Sequence, residues 1–316
     1  MNASRGSGEA PGVWDAAASA EVTAELCASA ATLWTATLPA EVATAAAGSL
    51  ARMVTWAARG RGDPVVRQLT EVYGHPDADG GVLAAQDPIV SAIATGIGVA
   101  RASGITQATS RDAAQLVSFA ALDPLARSLD ADGREVLRAH AVATSLAAPL
   151  QRVVDELGVE HRRSQTTVAS IVAGLAAGSL RLGPDEDALA RVVGLLASCS
   201  LATGPVPEGD EAWALVVGKA AGNAVLAVSL IERDFSANPR ALEGARGLLR
   251  ALSGTLPADG DTDELRTPRF DVEELGFGEA DPDPAHGADV AATERNIAEG
   301  VAWNRLVDVP AREVGS

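Results

Sequence analysis

Few side chains in this sequence could do acid–base or nucleophilic chemistry. It holds 24 Arg but a single Lys, Lys219. Apart from the chain's N-terminus, only Lys219 could form a Schiff base or act as an amine base. It sits in an otherwise apolar helical stretch. That fits either a buried amine of lowered pKa or a stem lying over the core with its head in water; the second reading is preferred. His75, Asp77 and Asp79 fall in the segment HPDADG. A metal site needs several converging ligands, and the Gly-rich surroundings read as a surface turn, so neither metal nor cofactor is implied. His161, Arg162 and Arg163 precede a helix and could take a carboxylate, but they read as a solvated interhelical loop. Trp213 opens a helix after TGPVPEGDE, where an indole could floor a pocket for an apolar ligand or pack in the core. No GxS or GxxxxGK signature is present, and the linear order supports no Cys–His or Ser–His–Asp set.

The elements that must position these groups are helices. Of 316 residues, 47% are hydrophobic but only 3% aromatic, so the core is built from Ala, Val, Leu and Ile. Ala and Leu are good helix formers, and alternating β-branched runs are scarce. The expected fold class is all-α. A net charge of −17 argues against nucleic acid and anionic membrane surfaces as partners. Cys27 and Cys199 make neither a metal spacing nor a disulfide framework. With a polar N-terminus unlike a signal peptide, they fit a reduced, cytoplasmic setting. No apolar run reads as a membrane span.

Helices are expected over 19–37, stopped at Pro39, then over 39–58, 64–73, 88–103, 111–129, 131–157, 166–182, 185–203, 211–233 and 239–252. The last carries Leu242, Ala245, Leu248, Leu249 and Leu252 on one side. The small-residue segments GLAAG (174–178) and KAAGNA (219–224) read as close helix crossings rather than phosphate loops. Residues 255–289 carry eleven acids and two bases, the composition of an acidic loop or linker. The organisation is therefore a disordered lead (1–15), a helical domain (16–254), the acidic segment (255–289), and a C-terminal helix and tail (290–316).

Six segments in order carry a family resemblance. These are VTAELCASAATLWTATLPAEVATAAAGSLARMVTWAARG with its Leu-Pro turn, AIATG (92–96), LDADGREVLRAH (129–140), the two central helices over 167–204, and AWALVVGKAAGNAVLAVSLIERDFSANPRALEGARGLL (212–249). Together they resemble the MmgE/PrpD family, which includes 2-methylcitrate dehydratase and cis-aconitate decarboxylase. The resemblance implies an all-α bundle, often a homodimer, acting on di- or tricarboxylates. Some sixty residues follow Gly254, so the chain is expected to lack the family's smaller α/β domain.

Residue by residue, the family's aspartate falls on Ser103 and its nearby threonine near Gln107. The histidine of its HPG motif falls near Ala113, and a later histidine on Ser164, with Thr166 matching a family threonine. A family lysine falls on or beside Trp213, and the histidine of that helix on Val216 or Val217; Lys219 does not occupy the lysine position. Ser103, Gln107, Ser164 and Trp213 are the candidate catalytic residues. Thr95, Arg101, Thr106, Ala113, Thr166 and Lys219 are the candidate substrate-binding residues.

Carboxylates need a cationic pocket, because a charge taken from water without a partner is costly. Neutral residues at these positions imply a different ligand. The leading expectation is a repurposed, cofactor-independent enzyme that cyclises, eliminates from or isomerises an apolar, polyketide- or terpenoid-like molecule. Positioning alone can contribute roughly 7–11 kcal/mol in favourable cases, and neutral donors can polarise a carbonyl. The alternatives are a non-catalytic domain that binds a ligand or partner, and a lyase using Arg101 as anion clamp with Lys219 or His161 as base.

Overall fold

The computed structural model describes residues 21–73, 87–105, 108–199, 211–244, 246–258, 262–270, 272–275 and 287–307. Among them the regular structure is helical, with no strand beyond one isolated bridge between Asp132 and Ala302.

Local chemistry explains where the helices begin. Pro39, in extended backbone, separates α1 (Val22–Thr35) from α2 (Ala40–Gly60). The Asp63 carboxylate accepts from Val65 N at 2.8 Å where α3 (Pro64–Tyr73) begins. Asp87 accepts from Ile89 N and Val90 N at the head of α4 (Pro88–Ala102), with Pro88 in the first turn, where its missing N–H is harmless. Reciprocal capping boxes, Thr109 with Asp112 and Asp132 with Glu135, start α5 (Ser110–Leu129) and α6 (Gly133–Glu156). The bundle continues with α7 (His161–Leu182), α8 (Glu186–Cys199) and α9 (Glu211–Ile231).

Glycines let these helices touch backbone to backbone. A Cβ on Gly96 of α4 would lie 2.6 Å from Gly218 Cα of α9, and one on Gly222 would lie 2.6 Å from Ile93 Cγ1. Gly174 and Gly178 of α7 lie under Val192, Leu196 and Leu189 of α8. Both small-residue segments are thus close crossings, as their composition indicates. α9 is long and apolar enough to cross a membrane by length and composition, contrary to the sequence expectation, but 61% of its apolar window is buried inside the bundle, as in a core helix.

Three local expectations need correction. α7 begins at His161, so His161, Arg162 and Arg163 form its first turn rather than a loop. Residues 239–243 and Arg246 are turns with a bend at Gly244, not helix, and α10 is only Leu248–Ser253. There Gly244 N donates to Arg240 O (2.9 Å), and Leu248 N reaches Ala241 O (2.8 Å). Helix is given up because the turns drive Leu242 and Glu243 into the interior. The Glu243 carboxylate accepts from Thr23 N (3.1 Å) and Thr23 Oγ1 (2.5 Å). It thereby caps the start of α1, which has no side-chain cap of its own. At the other end of α1, Arg138 donates to Trp34 O and Ala36 O, both at 2.7 Å.

The last correction concerns the C-terminal helix, which is two: α12 (Gly287–Glu299) and α13 (Trp303–Val307), broken at Gly300 with φ +77°. They lie against α2, α5 and α6. Gly133 N donates to Val301 O and Trp303 N to Ala131 O, each at 2.9 Å. Trp303 is fully buried, edge-on to Phe119, and its indole N–H meets Asp123 Oδ1 at 2.9 Å. Within the acidic segment, α11 (Asp263–Arg266) and a 3-10 turn at Glu273–Leu275 bury Leu265 and Leu275.

Candidate functional site

Helix directions gather most candidate residues at one end of the bundle. α4 and α9 are antiparallel, since Gly96 meets Gly218 while Ile89 meets Gly222. α7 and α9 are parallel: Ser170 Oγ donates to Ala220 O at 3.2 Å, and Gly178 faces Val228. Ser110 Oγ donates to Gln151 Oε1 (2.9 Å), and Gln151 Nε2 donates to Ser164 Oγ (2.8 Å) and Asp155 Oδ1 (2.7 Å). The C-terminal end of α4, the first turns of α5, α7 and α9, and the last turn of α6 therefore share one end. Three helix N-termini, each with a partial positive charge, meet there.

Ser103, Ala113, Ser164, Thr166 and Trp213 all belong to this end. Ser164 is fully buried, with its hydroxyl accepting from Gln151. Thr166 and Ala113 are buried, and Trp213 is half-buried against the core. Ser103 ends α4; its hydroxyl donates to Ala100 O (2.9 Å) and accepts from Ile105 N (3.3 Å). Thr95, half-buried, lies two turns further in on α4.

Two residues do not join them. Arg101 is turned to Asp63, Nε to Oδ2 at 2.7 Å, and so ties α4 to the start of α3. Lys219 is exposed on α9, which removes the buried-amine reading. Thr106 and Gln107, like His75, Asp77 and Asp79, lie outside the described residues.

Sequence reasoning missed His140. It is fully buried on α6, with Ser49 Oγ 3.0 Å from Nε2 and Ser118 Oγ 3.0 Å from Nδ1. Ser49 also donates to Gln115 Oε1 at 2.5 Å. Ser118 Oγ also donates to Gln115 O at 3.1 Å, so both hydroxyls engage Gln115 as well as the ring. Burial pushes the imidazole pKa down to about 3, so the ring is neutral. Sealed from solvent, it cannot serve as a catalytic base; it joins α2, α5 and α6. The available signal was a polar residue within the apolar stripe of Val136, Leu137 and Ala143, but its partners are 22 and 91 residues distant.

A family model of the MmgE/PrpD N-terminal domain matches residues 24–260. The match runs from within the first turn of α1 through α10, including the glycine crossings and the bundle end. No curated protein matches the chain. With most of its 316 residues covered by that helical domain, the chain belongs to the MmgE/PrpD family.

Proposed function

We propose that the chain is an enzyme descended from this dehydratase-linked family. It would act at the bundle end on an apolar small molecule and rearrange it by cyclisation, elimination or isomerisation. Positioning and neutral hydrogen bonds do the work in this reading, with no cofactor. The supporting observation is the fate of three of the basic groups. Arg101 is held by Asp63, Lys219 faces water, and His140 is neutral inside the core. The Thr166 hydroxyl and the Trp213 indole remain at the end where the helices converge, beside the Ser103 hydroxyl, which is bonded to Ala100 O and Ile105 N. The reading carries with it the homodimer that the family resemblance implies, which sedimentation velocity checks.

A second reading has one observation in its favour. His161, Arg162 and Arg163 begin α7 at the same end, beside the N-terminal ends of α5 and α9. That is a setting suited to an anion, and it keeps a carboxylate-acting lyase in play.

The test is binding and turnover with two kinds of probe. Citronellal and citronellol represent apolar terpenoids, and cis-aconitate represents carboxylates. The proposal expects the terpenoids to change tryptophan fluorescence in the wild type but not in Trp213→Phe, with products of altered skeleton visible by gas chromatography–mass spectrometry. Conversion of cis-aconitate, with neither terpenoid bound, would replace the proposal by the lyase. Binding without turnover would leave a ligand-binding domain.

A further inference from the structure

Two buried polar atoms at the bundle end have no hydrogen-bond partner among the described residues, Arg111 Nε and Gln165 Oε1; Arg111 is engaged in another interaction. Gln165 follows Ser164 and precedes Thr166 in α7; it is 8% exposed. Its Oε1 is sealed from solvent and has no hydrogen-bond partner among the described residues. A buried acceptor left unpaired is unfavourable, and such groups in native structures call for an explanation. The other orphaned oxygens have simpler ones. The hydroxyls of Ser145 and Ser179 are mid-helix and can rotate onto a carbonyl one turn back. Thr262 is the residue before α11, and Glu25 pairs with Arg266 through its other oxygen.

Its direction follows from the helix. Successive residues are about 100° apart. Ser164 faces α6 through Gln151, Ser170 faces α9 through Ala220, and Gly174 faces α8 through Leu196. Gln165 falls in the remaining sector, toward α5. Helical side chains lean toward their own N-terminus, so the amide is aimed at the end where α5, α7 and α9 begin.

The geometry points to Gln165 as the specificity-determining residue of the site: its carboxamide oxygen accepts a hydrogen bond from a hydroxyl on the substrate. This inference rests on the bundle-end reading above and narrows its substrate class to an apolar alcohol. An ionised carboxylate has no hydrogen to offer Oε1 and would be repelled by it. An ether or hydrocarbon of equal size would leave the oxygen orphaned.

The experiment compares citronellol with its methyl ether, using wild type, Gln165→Leu, Gln165→Met and Trp213→Ala. Wild type is expected to bind the alcohol about tenfold tighter than the ether, the worth of one hydrogen bond. The Leu and Met variants should bind both alike. In the absence of ligand they should melt at the wild-type temperature or about 2 °C above it, because an apolar side chain replaces an unsatisfied amide. An unchanged alcohol preference in both variants, with binding lost in Trp213→Ala, overturns the role of Gln165 but keeps the site. A fall in melting temperature in both variants shows that Oε1 already has a partner, and also overturns it. Binding of neither probe to wild type removes the bundle-end reading and this inference with it.

Discussion

Acidification should weaken the fold through His140 well before most carboxylates protonate, and the size of the effect can be worked out. A histidine in the unfolded chain titrates near pH 6.5. In the folded protein burial lowers the pKa of His140 to about 3. Between these values the unfolded state binds more protons than the folded state, so stability rises with pH there. The contribution is complete above about pH 6.5 and is lost progressively as pH falls toward 3. At about 1.4 kcal/mol per unit, lowering the pH from 7 to 5 removes about 2 kcal/mol. That is a sizeable share of the 5–15 kcal/mol typical of a folded domain. The control is His140→Gln, whose amide offers the two serines a donor and an acceptor without titrating. Urea denaturation of both proteins at pH 7, 6 and 5 separates the effects, because every other titrating group is common to the two. Wild type should lose its advantage over the variant as the pH falls, by about 2 kcal/mol at pH 5. A difference between the two that stays constant with pH would refute the reasoning: the imidazole would then be protonated in the fold at little cost.

Gly96→Ala should destabilise the protein by about 1–3 kcal/mol or more, since its new Cβ meets backbone of α9 at 2.6 Å. Gly48→Ala, which meets nothing within 4 Å on α2, should stabilise it by about 0.5–1 kcal/mol; thermal melts of the pair check both signs. Trp303→Phe should cost about 1–3 kcal/mol, because the buried Asp123 loses the indole N–H, and limited proteolysis should then cut more readily near α12. Of the two thiols, the native protein should give one rapid reaction with Ellman's reagent, at the exposed Cys199. Cys27 is buried, and its thiol pKa is raised to about 12 by burial and then by the Glu186 and Glu243 carboxylates; it should react only after unfolding.

Much of the helical frame was legible because its signals are local. Pro39, Asp87 with Pro88, and the Asp132–Glu135 pair each act within four residues of the boundary they set. The misreadings arose where a distant contact overrides local propensity. Leu242, Leu248 and Leu249 share the spacing of a helix face, yet Glu243 is drawn to Thr23, 220 residues earlier in the chain, and the intervening backbone turns instead. Gly300 could have been read as a break, but what fixes it is the meeting of Val301 and Trp303 with the start of α6. At the candidate site, residue type alone could not tell Ser164, bound to Gln151, from Gln165, bound to nothing described. That distinction depends on which helix lies opposite.

The buried polar groups then sort by satisfaction. The set of Ser49, Gln115, Ser118 and His140 is closed, as is the chain of Ser110, Gln151, Ser164 and Asp155 and the pairing of Glu243 with Thr23. Each spans elements far apart in sequence and so fixes how helices meet. Such networks favour one arrangement over its alternatives, since any slip would orphan several groups at once. Polar groups engaged in this way have little capacity left for a ligand. Ser164, which the family resemblance places where a histidine would act, is one of them: it holds α7 to α6. Functional capacity at the bundle end must therefore come from groups outside the closed sets. Trp213, Thr166 and the Gln165 amide are the neutral groups left there, which the proposed reading assigns to an apolar ligand; Arg111 in the first turn of α5 and Arg162 and Arg163 in that of α7 are the charged ones, which the lyase reading would use instead.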